Sequence, residues 1–330
     1  MLNENQLVER TARRIPSAKG AGLRLGIGDD AAIVRARRGA EWVLSCDSFL
    51  ERVHFLPDVT PPDSVGYKSL VRATSDLAAM GATPRLFLMS LALPNNRTGK
   101  WLDGFLGGMA RAARSLGMRL AGGDTTRSRA VSISITVIGE VAKERFVTRT
   151  GARPGDLIYV SGKLGRAALG LALLRRGSRR DPRLLSLLRP HFYPHIRLEL
   201  GRWLAQKRVA SAMMDISDGL STDLARLCAA SRVGARIQSQ RVPRPSIPAR
   251  PLLRSGLKRL DPLRLALHGG DDYELLFTVP PRSARRLRSA PDAHELTCIG
   301  EITRARKVVL VSPDGSSRPL RSLGWDPFRR

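Results

Sequence analysis

Aspartates follow short apolar runs at five places in this 330-residue chain, and glycines stand immediately before three of them. In α/β proteins ligands bind beyond the ends of strands, where glycine lets backbone N–H groups approach a ligand closely. Carboxylate oxygens are ligands that Mg²⁺ takes in proteins, usually together with substrate phosphates. The pattern therefore indicates chemistry on a Mg²⁺-bound nucleotide at junctions between strands and loops. The five stretches are GIGDD ending at Asp30, VLSCD ending at Asp47, LAGGD ending at Asp124, MMDISDG with Asp215 and Asp218, and HGGDD with Asp271 and Asp272.

The first stretch also matches the dinucleotide fingerprint G-x-G-x-x-A through Gly26, Gly28 and Ala31, and Asp47 stands where a ribose-binding acid is expected. A Rossmann crossover needs a helix between these glycines and the next strand. The short segment from Ala31 to Trp42 is β-rich and is interrupted by Arg-Arg-Gly. A dinucleotide site is therefore disfavoured, and the lack of a G-x-x-x-x-G-K-[ST] motif excludes a P-loop.

The chain carries a formal net charge of +27, from 56 lysines and arginines against 29 aspartates and glutamates. Its arginines are spread over many segments, aromatic residues make up 5% of the chain, and no RNA- or DNA-binding motif interrupts the basic runs. A stacking platform for single-stranded nucleic acid needs more aromatic residues than this. A solvated basic surface is the favoured interpretation, and a nucleic-acid-binding protein with vestigial acidic loops stays an alternative.

Neither a disulfide framework nor a structural zinc site is indicated, because Cys46, Cys228 and Cys298 are far apart and lack C-x-x-C spacing. The longest apolar run, Leu86 to Leu93, is too short to cross a bilayer, and the polar N-terminus lacks a secretory signal. We therefore expect a protein of the reducing cytoplasm with no membrane partner.

Apolar periodicity predicts a fold of the α/β or α+β class in two domains. The boundary is expected in the Gly-, Pro- and Arg-containing stretch from Phe146 to Asp156. A polar helical start precedes a β-hairpin around Arg37-Arg38-Gly39. The predicted domains are residues 1–147 and 148–330, and the predicted strands are 86–93, 118–121, 131–141, 157–160, 211–214, 235–239, 273–279, 297–302 and 308–311.

Two helices of the first domain are predicted from their apolar spacing, over Asp63 to Met80 and over Trp101 to Leu116. The first of them carries Asp76 near its end. In the second domain, Ser217 is predicted to N-cap a helix from Leu220 through Leu227, which would offer free N–H groups to a phosphate.

The acidic stretches and their neighbours, in this order, resemble one family closely: the thiamine-monophosphate kinases of the aminoimidazole-ribonucleotide synthetase-like superfamily. Each motif alone is weak, but the ordered set covers essentially the whole chain and is highly specific. The matching stretches are GIGDDAAIV, SCDSFLERVHFLPD, SDLAAMGATPR, AGGDTTRS, VTRTGARPGDLIYVSG, DISDGLSTDL, GGDDYELLFT and the C-terminal GWDPF.

The resemblance implies ATP-dependent phosphorylation of thiamine monophosphate to thiamine diphosphate. It implies an N-terminal domain that binds metal and ATP and pairs across a homodimer, and a C-terminal α+β domain that completes the nucleotide and substrate site. It also implies ATP as the co-substrate and several Mg²⁺ ions in the cleft.

Carried over position by position, the resemblance implies four catalytic residues, which are Asp30, Asp76, Asp215 and Arg149. The residues expected around the metal ions are Asp30, Ser45, Cys46, Asp47, Asp76, Asp124, Asp215 and Asp218, with Ser45 and Cys46 acting partly through backbone oxygens. Those expected at ATP are Gly123, Asp124, Arg149 and Ser217, and those expected around the thiamine moiety are His54, Asp271 and Trp325.

Three positions depart from the family pattern. Cys46 stands where similar sequences carry Thr or Ser, and a neutral thiol is a poor ligand for Mg²⁺. Asp271 replaces the usual Glu of GGEDYEL, which shortens its reach by one methylene. Pro327 stands in the usual His place of GWDHF and can redirect Phe328.

The resemblance also implies a direct transfer between two anionic groups. The acceptor is a phosphate monoester that is largely dianionic near neutral pH, so it needs no strong general base. Repulsion between the phosphates is the difficulty, and carboxylate-held Mg²⁺ and a bidentate clamp from Arg149 would relieve it. Trp325 and Asp271 would attract the cationic thiazolium.

Other ATP-using members of the superfamily stay alternatives, among them hydrogenase-maturation proteins, aminoimidazole-ribonucleotide synthetase and selenophosphate synthetase. The stretches HFLPD and GWDPF favour thiamine over the substrates of these enzymes. The sequence also lacks the C-terminal cysteine tail and the Cys-containing glycine-rich N-terminus that would favour them.

Overall fold

The computed structural model describes residues 23–25, 32–35, 39–176, 184–247 and 260–328, the first two segments by their backbone alone. Two predictions fall outside this part of the chain. They are the polar helical start and the metal ligand Asp30 with the rest of the GIGDD stretch.

The N-terminal half contains a six-stranded sheet of β1 (Leu23–Leu25), β2 (Ala32–Arg35), β3 (Ala40–Leu50), β4 (Thr83–Leu93), β5 (Arg119–Arg127) and β6 (Ser132–Ala142). Their order is β1-β2-β3-β6-β4-β5. β2 and β3 pair antiparallel, with Arg35 opposite Glu41, which confirms the predicted hairpin. β3 pairs with β6 along its whole length, and β4 pairs with β5 in parallel.

Two helices, α1 (Pro62–Ala79) and α2 (Lys100–Leu116), pack against one face of this sheet, and both predictions are confirmed. Alternate residues of the strands point toward them, so that Val43 and Ile135 are fully buried. α2 ends at Gly117, whose φ of 65° is the left-handed conformation that favours glycine at a helix C-terminus.

The C-terminal half contains a seven-stranded sheet of β7 (Leu157–Ser161), β8 (Ala212–Ile216), β9 (Gly234–Gln238), β10 (Glu274–Val279), β11 (Leu296–Thr303), β12 (Val308–Val311) and β13 (Ser317–Pro319). Their order is β13-β12-β9-β11-β7-β10-β8. The six strands predicted for this half are each present within two residues of their predicted ends. Every residue of β10 is buried, including Glu274, whose carboxylate pairs with Arg197.

The described helices of this half are α3 (Arg166–Arg175), α4 (Leu185–Phe192), α5 (Leu198–Gln206), α6 (Leu220–Ser231) and α7 (Pro262–His268). α5, α6 and α7 share hydrophobic clusters with the strands, whereas α3 and α4 pack on each other. Short 3₁₀ segments lie at Asn95–Arg97, Ser239–Arg241, Pro281–Ser289 and Ala293–Glu295. Across the segments that the structure describes, no helix has both the length and the apolar character needed to cross a membrane.

A shared hydrophobic cluster joins α1 to the C-terminal half. Ala78 and Ala79 of α1 pack with Leu204 of α5 and Phe277 of β10. Gly201 lets the two helices approach closely, because a Cβ at this position would stand 2.1 Å from the Ala78 carbonyl oxygen. α1 therefore contributes to the cores of both halves. Full burial of a large apolar side chain stabilises a fold by about 1.5–3 kcal/mol. The domain division at residue 147 stays a prediction.

Two acidic positions lie within strands, although the sequence pattern placed them at strand ends. Asp47 lies inside β3, opposite Ile135, because the pairing of β3 with β6 continues to the end of β3. Asp124 lies inside β5, opposite Ser90, because β5 continues to Arg127 as the partner of β4. The prediction of a strand-to-loop junction was therefore wrong at both positions.

Gly66 allows α1 to pack closely on α2, and its replacement by alanine should destabilise the fold. A Cβ at Gly66 would stand 1.9 Å from the carbonyl oxygen of Phe105 on α2. Overpacking of a core costs about 1–3 kcal/mol, and we expect Gly66→Ala to lower the free energy of unfolding by that amount in urea denaturation. Gly107→Ala on α2 is the control, because nothing lies within 4 Å of a Cβ there. Equal losses of stability in the two variants would contradict this packing.

Candidate active site

One edge of α1 carries four polar residues, at positions 68, 72, 75 and 76. Residues three or four apart on a helix share a face, so these side chains lie close together. Two of them contact the N-terminal sheet and two contact the C-terminal half. The contacts are Lys68 with Asp271, Arg72 with Asp47, Ser75 with Asp215, and Asp76 with Ser45. α1 therefore holds predicted site residues from both halves in one cleft.

Asp76 and Asp215, both predicted metal ligands, each accept a hydrogen bond from a serine hydroxyl. Ser45 Oγ donates to Asp76 Oδ2, and Ser75 Oγ donates to Asp215 Oδ2 over 2.7 Å. Asp215 is 2% exposed, and a buried carboxylate needs such partners. Because Ser75 and Asp76 are adjacent, the contacts of Asp215 and of Ser45 with α1 fall on the same turn of that helix.

Asp47 and Arg72 form a bidentate ion pair one turn away along α1. Nε of Arg72 donates to Oδ2 of Asp47 over 2.6 Å, and Nη2 donates to Oδ1 over 3.1 Å. The guanidinium carbon stands 5.5 Å from the centre of the Phe49 ring, which is a cation–π distance. Paired N–H donors fix a carboxylate in position as well as in distance. The pair thereby sets where both side chains stand in the cleft.

The loop before β10 turns Asp271 toward α1. The φ values of Asp271 and Tyr273 are 68° and 53°, which residues other than glycine adopt rarely. The Asp271 carboxylate accepts hydrogen bonds from Lys68 Nζ over 2.8 Å and from the Tyr273 hydroxyl over 2.7 Å. Burial alone would raise the pKa of Asp271, but the charges of Lys68 and Arg72 outweigh it and hold that pKa well below its usual value. Asp271 is therefore a fixed anion.

Asp272, the next residue of this loop, is bonded to the start of α3. Its Oδ1 accepts from the Ala167 N–H over 3.0 Å, and its Oδ2 accepts from the Gly165 N–H. Free N–H groups at a helix N-terminus favour a negative charge. Burial nevertheless raises the pKa of Asp272 to about 7, with the two N–H donors opposing that shift. The contact ties the loop that carries Asp271 to α3.

The residues predicted around the thiamine moiety line one cavity of about 250 Å³ between the two halves. His54, Asp271 and Trp325 all lie in its wall. Small-molecule sites are concave and combine apolar surface with a few placed polar groups. Three larger clefts, of about 1130, 650 and 340 Å³, include none of the predicted site residues. The rest of the cavity wall is formed by residues 52, 53, 55 and 56, Arg72, Ala167, Ala168, Leu171, Arg175, His191, Ser217, Asp218, Gly270 and Tyr273.

His54 is an uncharged part of this wall. Its Nδ1 accepts a hydrogen bond from the Leu50 N–H over 2.9 Å, and its ring stacks on Phe49 with the centroids 5.7 Å apart. Burial, followed by the charge of Arg72, lowers the pKa of His54 to about 4. His54 is therefore neutral near pH 7 and does not repel a cation in the cavity.

The C-terminal segment brings Trp325 to the cavity. The Trp325 N–H donates to the Asp218 carbonyl oxygen over 2.9 Å. Gly324 passes so close to this loop that a Cβ would stand 2.0 Å from the same oxygen. Beyond Pro327, Phe328 is exposed and is not part of the cavity wall. Phe328, which follows the unusual Pro327, therefore lies outside the cavity.

Ser217 and Asp218 occupy the loop between β8 and α6. The predicted N-cap at Ser217 was wrong, because α6 begins after Gly219, whose φ of 107° turns the chain into the helix. The Ser217 carbonyl oxygen instead accepts from the Asp271 N–H over 2.8 Å and joins two loops of the cavity wall. The Asp218 carboxylate forms an ion pair with Arg226.

Cys46 lies on the outer face of the N-terminal sheet. Its exposed thiol stands 3.5 Å from Ser134 Oγ and 3.4 Å from Thr136 Oγ1. Successive residues of a strand point to opposite faces, so the Cys46 side chain points away from those of Ser45 and Asp47. A metal contact through the backbone oxygen of Cys46 stays a prediction.

The predicted nucleotide residues Gly123 and Asp124 lie on β5, and Arg149 lies in the segment that joins the halves. A Cβ at Gly123 would stand 1.8 Å from a carbonyl oxygen of β4, so this position fits glycine alone. Asp124 is exposed and pairs with Ser90 on the outer face, and the structure does not bring it beside Asp76. The carbonyl oxygen of Arg149 accepts from a serine hydroxyl of α6 over 2.8 Å. The ATP contacts of all three residues stay predictions.

Within the described segments, no three His, Cys, Asp or Glu side chains lie close enough together to hold a metal ion. The carboxylates of Asp76 and Asp215 are both bonded at one turn of α1, Asp76 to Ser45 and Asp215 to Ser75. An all-oxygen set suits Mg²⁺, which binds through one or two carboxylates and keeps several waters. These residues therefore fit a magnesium ion shared with a phosphate, and Asp30, outside the described segments, stays its predicted partner.

Sequence reasoning missed Lys68, Arg72 and Tyr273. A signal for the first two stands in GYKSLVRATSD, where charged residues recur every four positions on one face of a helix and end at Asp76. Charged side chains on a helix that packs into a core need partners. The signal was the apolar character of the rest of this helix, which places a charge repeating every four residues beside a core.

The two halves match two family models in chain order. The model described as AIR synthase related protein, N-terminal domain, matches residues 28–141, and the one described as AIR synthase related protein, C-terminal domain, matches residues 153–312. With its two sheets and the cleft between them, the chain is a two-domain protein of the AIR synthase-related class.

Comparison with full-length relatives shows which family within this class the chain belongs to. The chain is 36% identical to the thiamine-monophosphate kinase of Escherichia coli (strain K12) over 331 residues, 98% of each chain. Its structure is similar to that of AaThiL complexed with AMPPCP and TMP, with a TM-score of 0.84 and 31% identity over 99% of this chain and 97% of that chain. The chain belongs to the thiamine-monophosphate kinase family. Its likeness to the HypE–HypF complex, at 20% identity and a TM-score of 0.73 over 95% of this chain and 98% of that chain, shows the shared fold alone.

His191 on α4 should make the stability of the protein depend on pH. It is 4% exposed, and burial lowers its pKa to about 3, against about 6.5 in an unfolded chain. Because the folded pKa is the lower one, the stabilisation is complete above about pH 6.5 and is lost as the pH falls toward 3. Between pH 7 and pH 4 we expect the wild type to lose about 2–3 kcal/mol more than His191→Gln in urea denaturation. Parallel pH profiles of the two proteins would contradict a neutral, buried imidazole.

Proposed function

We propose that this protein transfers the γ-phosphoryl group of ATP directly to the phosphate of thiamine monophosphate and so forms thiamine diphosphate. The observation that carries the proposal is the cavity that joins His54, Asp271 and Trp325, next to the turn of α1 that holds Asp76 and Asp215. Kinship with the Escherichia coli thiamine-monophosphate kinase and likeness to AaThiL complexed with AMPPCP and TMP support it.

The thiamine end of the substrate is a cation, and the cavity offers it an anion and an aromatic face. Asp271 is held ionised by Lys68, and a carboxylate attracts a thiazolium most strongly where water is partly excluded. Trp325 is 45% exposed and can cover the ring through a cation–π contact. The neutral His54 adds no repulsion.

The phosphate end needs positioning more than proton transfer. Its second pKa is about 6, so the attacking oxygen is largely deprotonated at neutral pH and no residue has to act as a strong base. Mg²⁺, when bound, supplies neutralisation of charge between the phosphates. Asp76 and Asp215 would hold the ion, and Ser45 and Ser75 orient these carboxylates through the hydrogen bonds that they donate.

The remaining predicted roles belong to the same proposal. Arg149 would clamp a nucleotide phosphate, because a guanidinium binds phosphate through two parallel N–H donors. The further residues proposed at ATP are Gly123, Asp124 and Ser217, and the further ligands proposed for Mg²⁺ are Asp30, the backbone oxygen of Cys46, Asp47, Asp124 and Asp218.

Incubation of the protein with Mg²⁺, ATP and thiamine monophosphate, followed by chromatography, tests the proposed function. We expect thiamine diphosphate and ADP in equal amounts. Asp215→Asn should lower turnover by about 100-fold or more while the melting temperature stays near the wild-type value, because it removes one negative ligand from the ion. Asp314→Asn, in the exposed turn between β12 and β13, is the matched control and should keep full activity.

The possible outcomes separate the two claims. A wild-type protein that makes no thiamine diphosphate would refute the function. Near-normal turnover of Asp215→Asn in an active wild-type background would refute its metal role alone.

We further propose a homodimer in which the outer faces of the two six-stranded sheets pair. Leu44, Ile138 and Leu86 lie side by side on three neighbouring strands of that face. Leu88, on the same face, is 38% exposed. A row of apolar side chains with no described element over it is typical of a protein interface.

Leu88→Glu should convert the proposed dimer to a monomer, because it puts a charge into the centre of an apolar contact. Light scattering on the eluate of a sizing column measures the change in mass. Leu106→Glu on α2 is the matched control, since Leu106 is similarly exposed, at 43%, on the side of the sheet that carries the helices. A wild-type protein that elutes as a monomer would contradict the proposal.

A further inference from the structure

We propose that Arg72 binds the phosphate group of the acceptor and thereby makes the cavity select thiamine monophosphate over thiamine. This inference rests on the proposed function. The observation behind it is the position of Arg72 in the cavity wall, one turn of α1 from Asp76 and one turn from Lys68.

The order of contacts along α1 gives the substrate a direction. Lys68 holds Asp271 at the proposed thiamine end, and the turn with Ser75, which bonds to Asp215, and Asp76 stands at the proposed magnesium end. A helix rises about 1.5 Å per residue, so positions 68 and 76 are about 12 Å apart along the axis with Arg72 at the midpoint. A thiamine monophosphate whose thiazolium lies at Asp271 and whose phosphate approaches Asp76 therefore passes its phosphate beside Arg72.

Arg72 has donors left for such a group. A guanidinium carries five N–H donors, and two of them bond to the carboxylate of Asp47. The remaining donors have no hydrogen-bond partner within the described part of the chain, and the side chain is 15% exposed at the cavity. Largely buried donors of this kind contribute most when a charged acceptor reaches them.

The surroundings of Arg72 hold its guanidinium ready for a ligand. Asp47 fixes it through two hydrogen bonds, and its central carbon lies over the Phe49 ring, 5.5 Å from the ring centre. A group that is already ordered loses little entropy when it binds. Asp47 keeps a second lone pair on each oxygen, so the ion pair does not exhaust its acceptors.

The other arginines in the cavity wall are less suited to this role. Arg52 has a side chain that is 76% exposed, and Arg175 at the end of α3 is exposed as well. Water and salt screen the charge of an exposed side chain. Of these three arginines, Arg72 is the most buried, so its charge is the least screened by water and salt.

Calorimetric titrations with thiamine monophosphate and with thiamine, without ATP or metal, test the proposal. Arg72→Met should weaken the binding of thiamine monophosphate by about 10- to 100-fold, which corresponds to the loss of a charged hydrogen bond. The affinity for thiamine should change by less than about threefold, because thiamine has no phosphate. Arg72→Lys should restore part of the affinity for the monophosphate, because it keeps the charge without the fork.

Arg111→Met is the matched control. Arg111 also pairs with a carboxylate, Asp63 at 3.1 Å, and its guanidinium carbon also lies over aromatic rings, 5.4 Å from Tyr67 and 5.1 Å from Tyr193. It lies outside the cavity wall, so Arg111→Met should leave both affinities unchanged.

Asp47→Asn provides a second variant in case Arg72→Met fails to fold. It keeps the guanidinium and removes its anchor, so it should weaken thiamine monophosphate less than Arg72→Met does and leave thiamine unchanged. Equal weakening of both ligands in the Arg72 variants, or an unchanged ratio of the two affinities in Arg72→Lys and Asp47→Asn, would overturn the proposal. A wild-type protein that binds thiamine but not its monophosphate would overturn it together with the proposed function, whereas a normal wild type with unchanged variants would overturn this inference alone.

Discussion

Helix α1 is the constraint on which the rest of the structure depends. Thirteen of its 18 residues are buried, because it packs against the six-stranded sheet and α2 on one side and against the C-terminal half on the other. A polar side chain on such a helix has little water to bond with and needs a partner within the protein. The partners of Arg72, Ser75 and Asp76 are residues predicted for the active site. The packing of α1 that forms the core therefore also brings these site residues together.

The ion pairs along α1 fix geometry more than they stabilise the fold. Taking two charges out of water costs about as much as their attraction returns, but removing one partner leaves a buried charge alone. Lys68 is 4% exposed and meets Asp271 at 2.8 Å, and this contact holds a loop in which Asp271 and Tyr273 both have positive φ. Strained backbone of this kind persists where surrounding contacts over-determine it. The cavity wall is thus ordered before any ligand arrives.

Local patterns predicted the elements of this fold well, because periodicity depends on neighbouring residues. The helix over α1 and the six strands of the C-terminal half follow from spacing alone. The positions of Asp47 and Asp124 did not follow, because strand pairing with residues far along the chain decides where a strand ends. Ser217 was misplaced as a cap because Gly219 enters the helix with a conformation that residue type alone does not reveal.

The residues of the site were predicted unevenly for a related reason. Motifs placed His54, Asp271 and Trp325 in one group, and the cavity brings them together. Lys68 and Arg72 were not predicted as site residues because charges four residues apart on a helix usually mark a solvated face. Here the same spacing faces a cleft between two halves of the protein, which only the tertiary structure shows.

The charge of the whole molecule differs from the charge of the cleft. The chain has a net charge of +27, yet three of its cleft carboxylates are paired with cations: Asp47 with Arg72, Asp218 with Arg226 and Asp271 with Lys68. A ligand of one sign would meet both like and opposite charges in such a wall. A ligand that carries a cation at one end and an anion at the other can meet both, provided that the spacing agrees. We therefore expect selectivity in this cleft to depend on where the charges stand along α1.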